Sequence, residues 1–112
     1  MPIINSIADL KNEAAAWRQE LHQNPQTCYE EEFASAFVKN KLQEWNIPFR
    51  DGYAKTGLVA TIEGQKNTSG KTIGLRADMD ALPVTEKTGL PYASKVRGEY
   101  QGREVGVMHA CG

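Results

Sequence analysis

The 112-residue sequence lacks the features that would set it apart from ordinary globular proteins. It has only two cysteines, Cys28 and Cys111, which excludes a disulfide-dense secreted scaffold. No apolar run approaches the ~18 residues that a transmembrane helix needs. Thirteen Lys and Arg against 14 Asp and Glu leave a formal charge of −1. We therefore expect no strong electrostatic attraction to nucleic acid or to an anionic membrane.

The amino-terminal residues also lack the pattern of a secretory signal peptide. Met1 to Asn5 contain no basic segment followed by an apolar stretch of about 7–15 residues. We therefore expect a cytoplasmic protein with reduced thiols. The length suits one domain and not two, so residues 1–112 are treated as a single unit.

Two segments in the first half have the spacing of amphipathic helices. In the first, apolar residues recur three or four positions apart: Ile7, Leu10, Ala14, Trp17 and Leu21. We predict that Ser6 caps this helix and that it ends before Pro25. The second is predicted from about Glu30 to Trp45, with Phe33, Phe37 and Leu42 on the same face as Trp45. We interpret both apolar faces as core-packing surfaces.

From Leu58 onward, the spacing of apolar residues changes from that of a helix to that of a β-strand. Leu58 to Ile62 alternate as in a strand, and the mostly apolar stretch 71–77 predicts a second, central strand after a polar turn. These two strands predict a hairpin covered by the helices, which is an α/β arrangement. From Asp78 onward we predict mainly loop, with a short strand over 105–108.

Two clusters near the carboxyl end carry residues capable of chemistry. Arg76, Asp78 and Asp80 follow the predicted central strand, where ligands often bind in α/β sheets. The two carboxylates could hold a divalent metal or orient a histidine, or Asp78 could simply pair with Arg76 and close a loop. His109 and Cys111 can both ligate zinc, but two ligands do not complete a site, and a buried cysteine with a satisfied histidine is the alternative.

The remaining cysteine and histidine have simpler interpretations. Cys28 has no neighbouring histidine, so we interpret it as a packed or surface thiol. His22 falls at the end of the first predicted helix, where a cation is favourable. A zinc module that joins these two residues to His109 and Cys111 is a further, weaker alternative.

Several stretches, taken together, resemble the M20 metallopeptidase clan, specifically its amidohydrolase branch of hippurate hydrolases, aminoacylase-like enzymes and auxin-conjugate hydrolases. They are Trp17 to Pro25 with Glu30-Glu31, Thr56 to Ala60, Gly74 to Val84 with Glu86, Thr88 to Ser94, and Gly106-Val107-Met108-His109-Ala110-Cys111-Gly112. The resemblance runs from about residue 10 to the end. Two departures, Gln26 for the usual Glu and Cys28 for the usual Ser, do not touch the expected metal site.

The resemblance implies a catalytic α/β domain with a central sheet, of which this chain would be the N-terminal part. A smaller lid domain, used for dimerisation, would come later. The active site of such enzymes holds two divalent metals, usually zinc, manganese, cobalt or nickel. Cys111 would be a metal ligand, whereas the next motif histidine and the general-base glutamate would lie downstream.

The same resemblance gives supporting roles to other residues. Arg76 stands where the peptidase branch has a metal-binding histidine, so Asp78 would shape the site rather than bind metal. Asp80 and His109 would have similar site-shaping roles.

The implied reaction is metal-dependent hydrolysis of the amide bond of N-acyl amino acids, with a small-molecule substrate and a full-length homo-oligomer. We expect the isolated chain to be inactive, because it contains at most one clear ligand. The alternative is a truncated, non-catalytic product or an interaction module.

Overall fold

The computed structural model describes residues 4–111. Their elements are, in chain order, α1 (Asn5–Ala8), α2 (Lys11–Gln23), α3 (Glu32–Glu44), β1 (Phe49–Tyr53), β2 (Gly57–Ala60), β3 (Arg97–Tyr100) and β4 (Arg103–Gly106). The strands form two separate antiparallel pairs, β1 with β2 and β3 with β4. The predicted α/β class is confirmed, although the sheet content within this range is two small hairpins. No helix in the described range is long and apolar enough to cross a membrane.

The first predicted helix is interrupted. α1 ends at Ala8 and α2 begins at Lys11, and between them the Leu10 N–H bonds the Ile7 carbonyl at 3.2 Å. This i to i−3 bond is the tighter pattern of a 3₁₀ turn. Ile7 and Leu10 are exposed, so the start of the predicted apolar face has nothing to pack against. The predicted cap was also wrong, because Ile4 and Leu10, and not Ser6, occupy the cap positions.

The second predicted helix is confirmed as α3, shortened by two residues at its start and one at its end. Its first turn is completed from outside, because the Gln26 side-chain oxygen accepts the Phe33 N–H at 2.6 Å. Such a bond satisfies a backbone donor that a helix start leaves free. Trp17 of α2 contacts Trp45 just after α3, with ring centroids 5.5 Å apart. The two helices are therefore held together partly through the predicted apolar faces.

The β1–β2 hairpin is tied to the start of α3 by one threonine. The Thr56 hydroxyl donates to Glu31 Oε2 at 2.7 Å, and the Ser35 hydroxyl donates to the Thr56 carbonyl at 2.7 Å. Glu31 and Ser35 are both buried. The strand predicted over 58–62 is confirmed in outline as β2, but its partner is β1, which the sequence did not lead us to predict.

The predicted central strand over 71–77 was wrong for the described range. No part of this stretch is assigned to a strand, and it does not pair with β2. Ile73 is 87% exposed and Leu75 is 95% exposed. Apolar residues on both faces of a strand need neighbouring strands and covering helices, and residues 4–111 do not place any there. The predicted hairpin between the two strands is wrong for the same reason.

The carboxyl-terminal half is more ordered than the sequence suggested. β3 and β4 form a hairpin whose turn residues, Gln101 and Gly102, both have positive φ, at 51° and 74°. Two positive φ angles in succession characterise the type I′ turn that suits the twist of a two-stranded hairpin. The predicted strand over 105–108 is confirmed only in its first half. Met108 instead forms a bridge with Leu82, through bonds of 2.9 and 3.1 Å.

Candidate functional site

A cavity of about 640 Å³ lies between the two long helices and two loop segments. α2 contributes Arg18, Leu21 and His22, α3 contributes Ala34 and Val38, and the loops contribute Ala77 to Met79 and His109 to Cys111. The structure therefore brings the two predicted clusters, more than 25 residues apart in sequence, to one cavity. Of the predicted site residues, Asp78, His109 and Cys111 line it.

Asp78 is already paired. Its Oδ1 lies 2.9 and 3.0 Å from the Nη2 and Nε of Arg76, so the guanidinium approaches one carboxylate oxygen with two nitrogens. Both side chains are largely exposed, and a pair in that setting contributes little to stability. The geometry matches the ion-pair alternative for this cluster.

The surroundings of His109 favour the neutral form of its imidazole. Burial, followed by the neighbouring His22, lowers the pKa of its imidazole below the usual 6.5. The backbone and the carboxylate charge of Asp80 act in the opposite direction and raise this pKa. Asp80 therefore acts at the site through His109, because it does not itself line the cavity. A neutral imidazole is the form that can accept a hydrogen bond or bind a metal.

A carboxylate–imidazole pair that the sequence reasoning missed lies beside this histidine. His22 Nε2 is 2.9 Å from Glu86 Oε2, and the two side chains are only 13% and 1% exposed. Glu86 also accepts the Thr88 hydroxyl at 2.7 Å and the Ser94 N–H. The bonds from Thr88, then from Ser94 and then from His22, lower the pKa of Glu86. Glu86 is thus ionised at neutral pH.

An aromatic ring completes the surroundings of His22. The Tyr92 ring meets the His22 imidazole edge-on, with 6.0 Å between the ring centroids. Arg18 lies over the same Tyr92 ring, with its guanidinium carbon 5.4 Å from the ring centroid. The ring centroids of His109 and His22 are 6.4 Å apart. No local spacing could have indicated this cluster, because His22 and Glu86 are 64 residues apart. The sequence drew attention to these two residues only because both lie in the stretches that resemble the M20 clan.

The donor chemistry fits a metal site only in part. Cys111 is an exposed free thiol at the cavity wall, and its sulfur is a suitable ligand for a borderline metal. Within residues 4–111, however, no three His, Cys, Asp or Glu side chains are grouped so that they could hold an ion. The four-residue zinc module with Cys28 and His22 is therefore wrong. The described residues can contribute a ligand to a site, but they do not complete one.

Comparison with known proteins gives a consistent result along the whole chain. It is 44% identical over 107 residues to N-acetyl-L-cysteine deacetylase of Bacillus subtilis, and 41% identical over 112 residues to hippurate hydrolase of Campylobacter jejuni. These matches cover 96% and 100% of this chain but 23% and 27% of those proteins, so the chain spans about a quarter of their length. No family model matches.

A solved structure extends the similarity to the fold. The Bacillus subtilis YXEP protein, described as a dinuclear metal-binding peptidase of the M20 family, superposes with a TM-score of 0.76 at 35% identity. The superposition covers 93% of this chain and 26% of that one. Because the sequence similarity and the superposition each cover more than nine tenths of the chain, the chain belongs to the amidohydrolase branch of the M20 family.

Proposed function

We propose that the full-length protein to which this chain belongs is a metal-dependent hydrolase of the amide bond in N-acyl amino acids. The observation that carries the proposal is the chain-wide similarity to an N-acetyl-L-cysteine deacetylase, a hippurate hydrolase and an N-acyl-L-amino acid amidohydrolase. The names of these relatives share one chemistry, removal of an acyl group from an amino acid. The substrate is thus a small molecule, and the products are a carboxylic acid and a free amino acid.

Within this reaction, Cys111 is proposed as a metal ligand and the other four predicted residues as shaping the site. The thiol of Cys111 is exposed at the cavity, so no buried side chain has to move for it to bind. Arg76 balances the charge of Asp78, while Asp80 steadies His109. Two divalent ions, chosen from zinc, manganese, cobalt or nickel, would supply Lewis acidity and an activated water when bound.

The 112-residue chain by itself is proposed to be inactive. Glu86 is close to the cavity, but its carboxylate is buried and already accepts three hydrogen bonds, so it is a poor general base. The proton acceptor and the further ligands would come from the rest of the full-length protein. We propose that this protein is a cytoplasmic homo-oligomer without nucleic-acid or membrane partners. For the partners, the support is that these 112 residues carry a formal charge of only −1.

The two cysteines provide a matched test, because both are exposed free thiols. Cys111→Ser and Cys28→Ser are made in the full-length protein, and hydrolysis of an N-acetyl and an N-benzoyl amino acid is followed with and without added metal. We expect Cys111→Ser to lose activity at least about 10- to 100-fold and Cys28→Ser to retain it. Cobalt loading should give a thiolate-to-metal absorption band that only Cys111→Ser removes.

Two results would contradict the proposal. A full-length protein that hydrolyses neither substrate with any of the four metals would exclude the proposed reaction. Metal-dependent hydrolysis by the pure 112-residue chain would exclude the claim that it is inactive alone.

A further inference from the structure

Three segments of the chain meet at the buried carboxylate of Glu86. Its Oε2 faces His22 at the end of α2 and also accepts the backbone N–H of Ser94, whereas its Oε1 accepts the Thr88 hydroxyl. Its side chain is 1% exposed. A buried, ionised carboxylate is stable only when such donors surround it, so these bonds fix the carboxylate and the donors together.

One branch of this network leads through His22 to the cavity. An ionised carboxylate can only accept hydrogen bonds, so Nε2 of His22 must carry the proton that Glu86 binds. That bond fixes both the tautomer and the plane of the imidazole. The fixed ring lies beside His109, 6.4 Å away between centroids, and the two rings line the same cavity.

The second branch leads through Ser94 to Val107, in the segment that follows β4. Glu86 binds the N–H of Ser94, and the Ser94 hydroxyl donates to the carbonyl of Val107 at 2.6 Å. Val107 is buried, and its N–H bonds the Val96 carbonyl at 3.1 Å. The first branch therefore reaches His109 through the proximity of two rings, and the second reaches the Val107 carbonyl through hydrogen bonds, on either side of Met108.

We propose that Glu86 is a positioning residue, which holds residues 107–109 through His22 and Ser94 and thereby places the Cys111 thiol at the cavity. This role rests on the proposed function only in taking Cys111 as a metal ligand. Glu86 does not touch the reacting atoms. Its effect reaches Cys111 through the backbone, because Cys111 lies two residues beyond His109. The backbone of residues 107–108 is otherwise held by hydrogen bonds to Val96 and Leu82.

The proposal makes different predictions for two substitutions of the same residue. Glu86→Gln keeps a carbonyl oxygen that can face both His22 and Ser94, and its amide can donate to the Thr88 hydroxyl, which is able to accept. Glu86→Ala removes every acceptor and leaves buried donors unpaired. A positioning role therefore predicts that Glu86→Gln keeps most of the cobalt affinity and exchange protection that Glu86→Ala loses.

The variants are made in the full-length protein, with Glu104→Gln as the matched control, because Glu104 is an exposed partner of Arg97 outside the site. Two quantities are measured: cobalt affinity with its thiolate absorption band, and hydrogen exchange of residues 105–111 in the metal-free protein. We expect Glu86→Ala to weaken cobalt binding about 10- to 100-fold and to speed exchange over 105–111 about tenfold. Glu86→Gln should stay within about threefold of wild type, and Glu104→Gln should match it.

A third variant covers the case in which Glu86→Ala does not fold. His22→Gln keeps a donor toward Glu86 and removes only the ring beside His109. It should weaken cobalt binding without changing exchange of the Ser94 N–H, which still donates to Glu86. Wild-type cobalt affinity and wild-type exchange over 105–111 in His22→Gln and in any folded Glu86→Ala would overturn the proposal.

The outcome also separates this proposal from the proposed function. A protein that shows these shifts but hydrolyses no N-acyl amino acid contradicts the function and supports the positioning role. A protein that hydrolyses them, with variants indistinguishable from Glu104→Gln in both measurements, overturns the positioning role alone. If wild type shows no thiolate band, Cys111 is not a ligand, and the exchange measurement still decides whether Glu86 holds residues 107–109.

Discussion

Replacing Gly106 by alanine should damage the strand that leads to the site. A Cβ at this position would lie 2.6 Å from the Cα and 2.6 Å from the Oγ1 of Thr85, and 2.9 Å from its Cβ. Real Cβ contacts are essentially never closer than 3.0 Å, and the nearest atom here belongs to the backbone, so no rotamer change relieves it. β4 and the Thr85 backbone would have to separate.

The magnitude follows from two contributions. Overpacking by one methyl group in a packed region costs about 1–3 kcal/mol. Separation also stretches the bond from the Gly106 N–H to Thr85 Oγ1, now 3.3 Å, whose loss costs about 1 kcal/mol. We therefore expect Gly106→Ala to lower the free energy of unfolding by about 2–4 kcal/mol. Because Met108 to Cys111 follow directly, cobalt affinity should fall as well.

The assay is urea unfolding of the full-length protein, compared with Gly64→Ala. Gly64 lies in an exposed loop, and a Cβ there would meet nothing within 4 Å, so the control adds the same methyl group without a contact. If the two variants unfold within about 0.5 kcal/mol of each other, Gly106 and Thr85 are not packed as described and the reasoning is refuted.

Three further outcomes are expected. Thr56→Val should cost about 1.5–3 kcal/mol in urea unfolding, because it removes the hydroxyl bound to the buried Glu31 carboxylate; a cost below about 0.5 kcal/mol would contradict that bond. Lys39→Ala should leave the urea midpoint nearly unchanged, since its pair with Asp51 is partly exposed to solvent, and a clear loss would show a role beyond the pair. The folded-state pKa of Glu86 is lowered, so its contribution to stability should be complete above the ordinary value of 4.5 and be lost as pH falls through the folded pKa. Urea midpoints measured from pH 7 to pH 3 should decline less in Glu86→Gln than in wild type. If the two midpoints fall in parallel with pH, the ionised Glu86 carboxylate does not contribute to stability in this way.

The helices could be predicted because their signal is local. α3 appeared within two residues of its predicted bounds, since the spacing of Phe33, Phe37 and Leu42 and the stop at Asn46 act within a few turns. The break after Ala8 could not be predicted in the same way. The spacing continues through Leu10, and the helix is interrupted because Ile7 and Leu10 find no surface to cover them.

Strand pairing was harder because it depends on distant partners. An apolar stretch such as 71–77 indicates a strand, but pairing requires a neighbour that the described range does not supply. For the site, the motif stretches identified Asp78, His109 and Cys111, and the structure brings these to one cavity. His22 and Glu86 were missed as a pair, because only packing joins residues 64 positions apart.

The two hydrogen bonds that share Glu86 Oε2 have a consequence for how this region can change through evolution. The N–H of Ser94 and the ring of His22 share one acceptor atom, so the energetic effects of changing Glu86 and either partner cannot be additive. If a substitution at position 86 removes every acceptor, as alanine would, His22 loses its hydrogen-bond partner there and keeps only its ring contacts with Tyr92 and His109. Positions 22 and 86 should therefore tend to change together in related sequences when the acceptor at position 86 is lost, whereas a glutamine at position 86, which keeps an acceptor, should be tolerated with His22 unchanged.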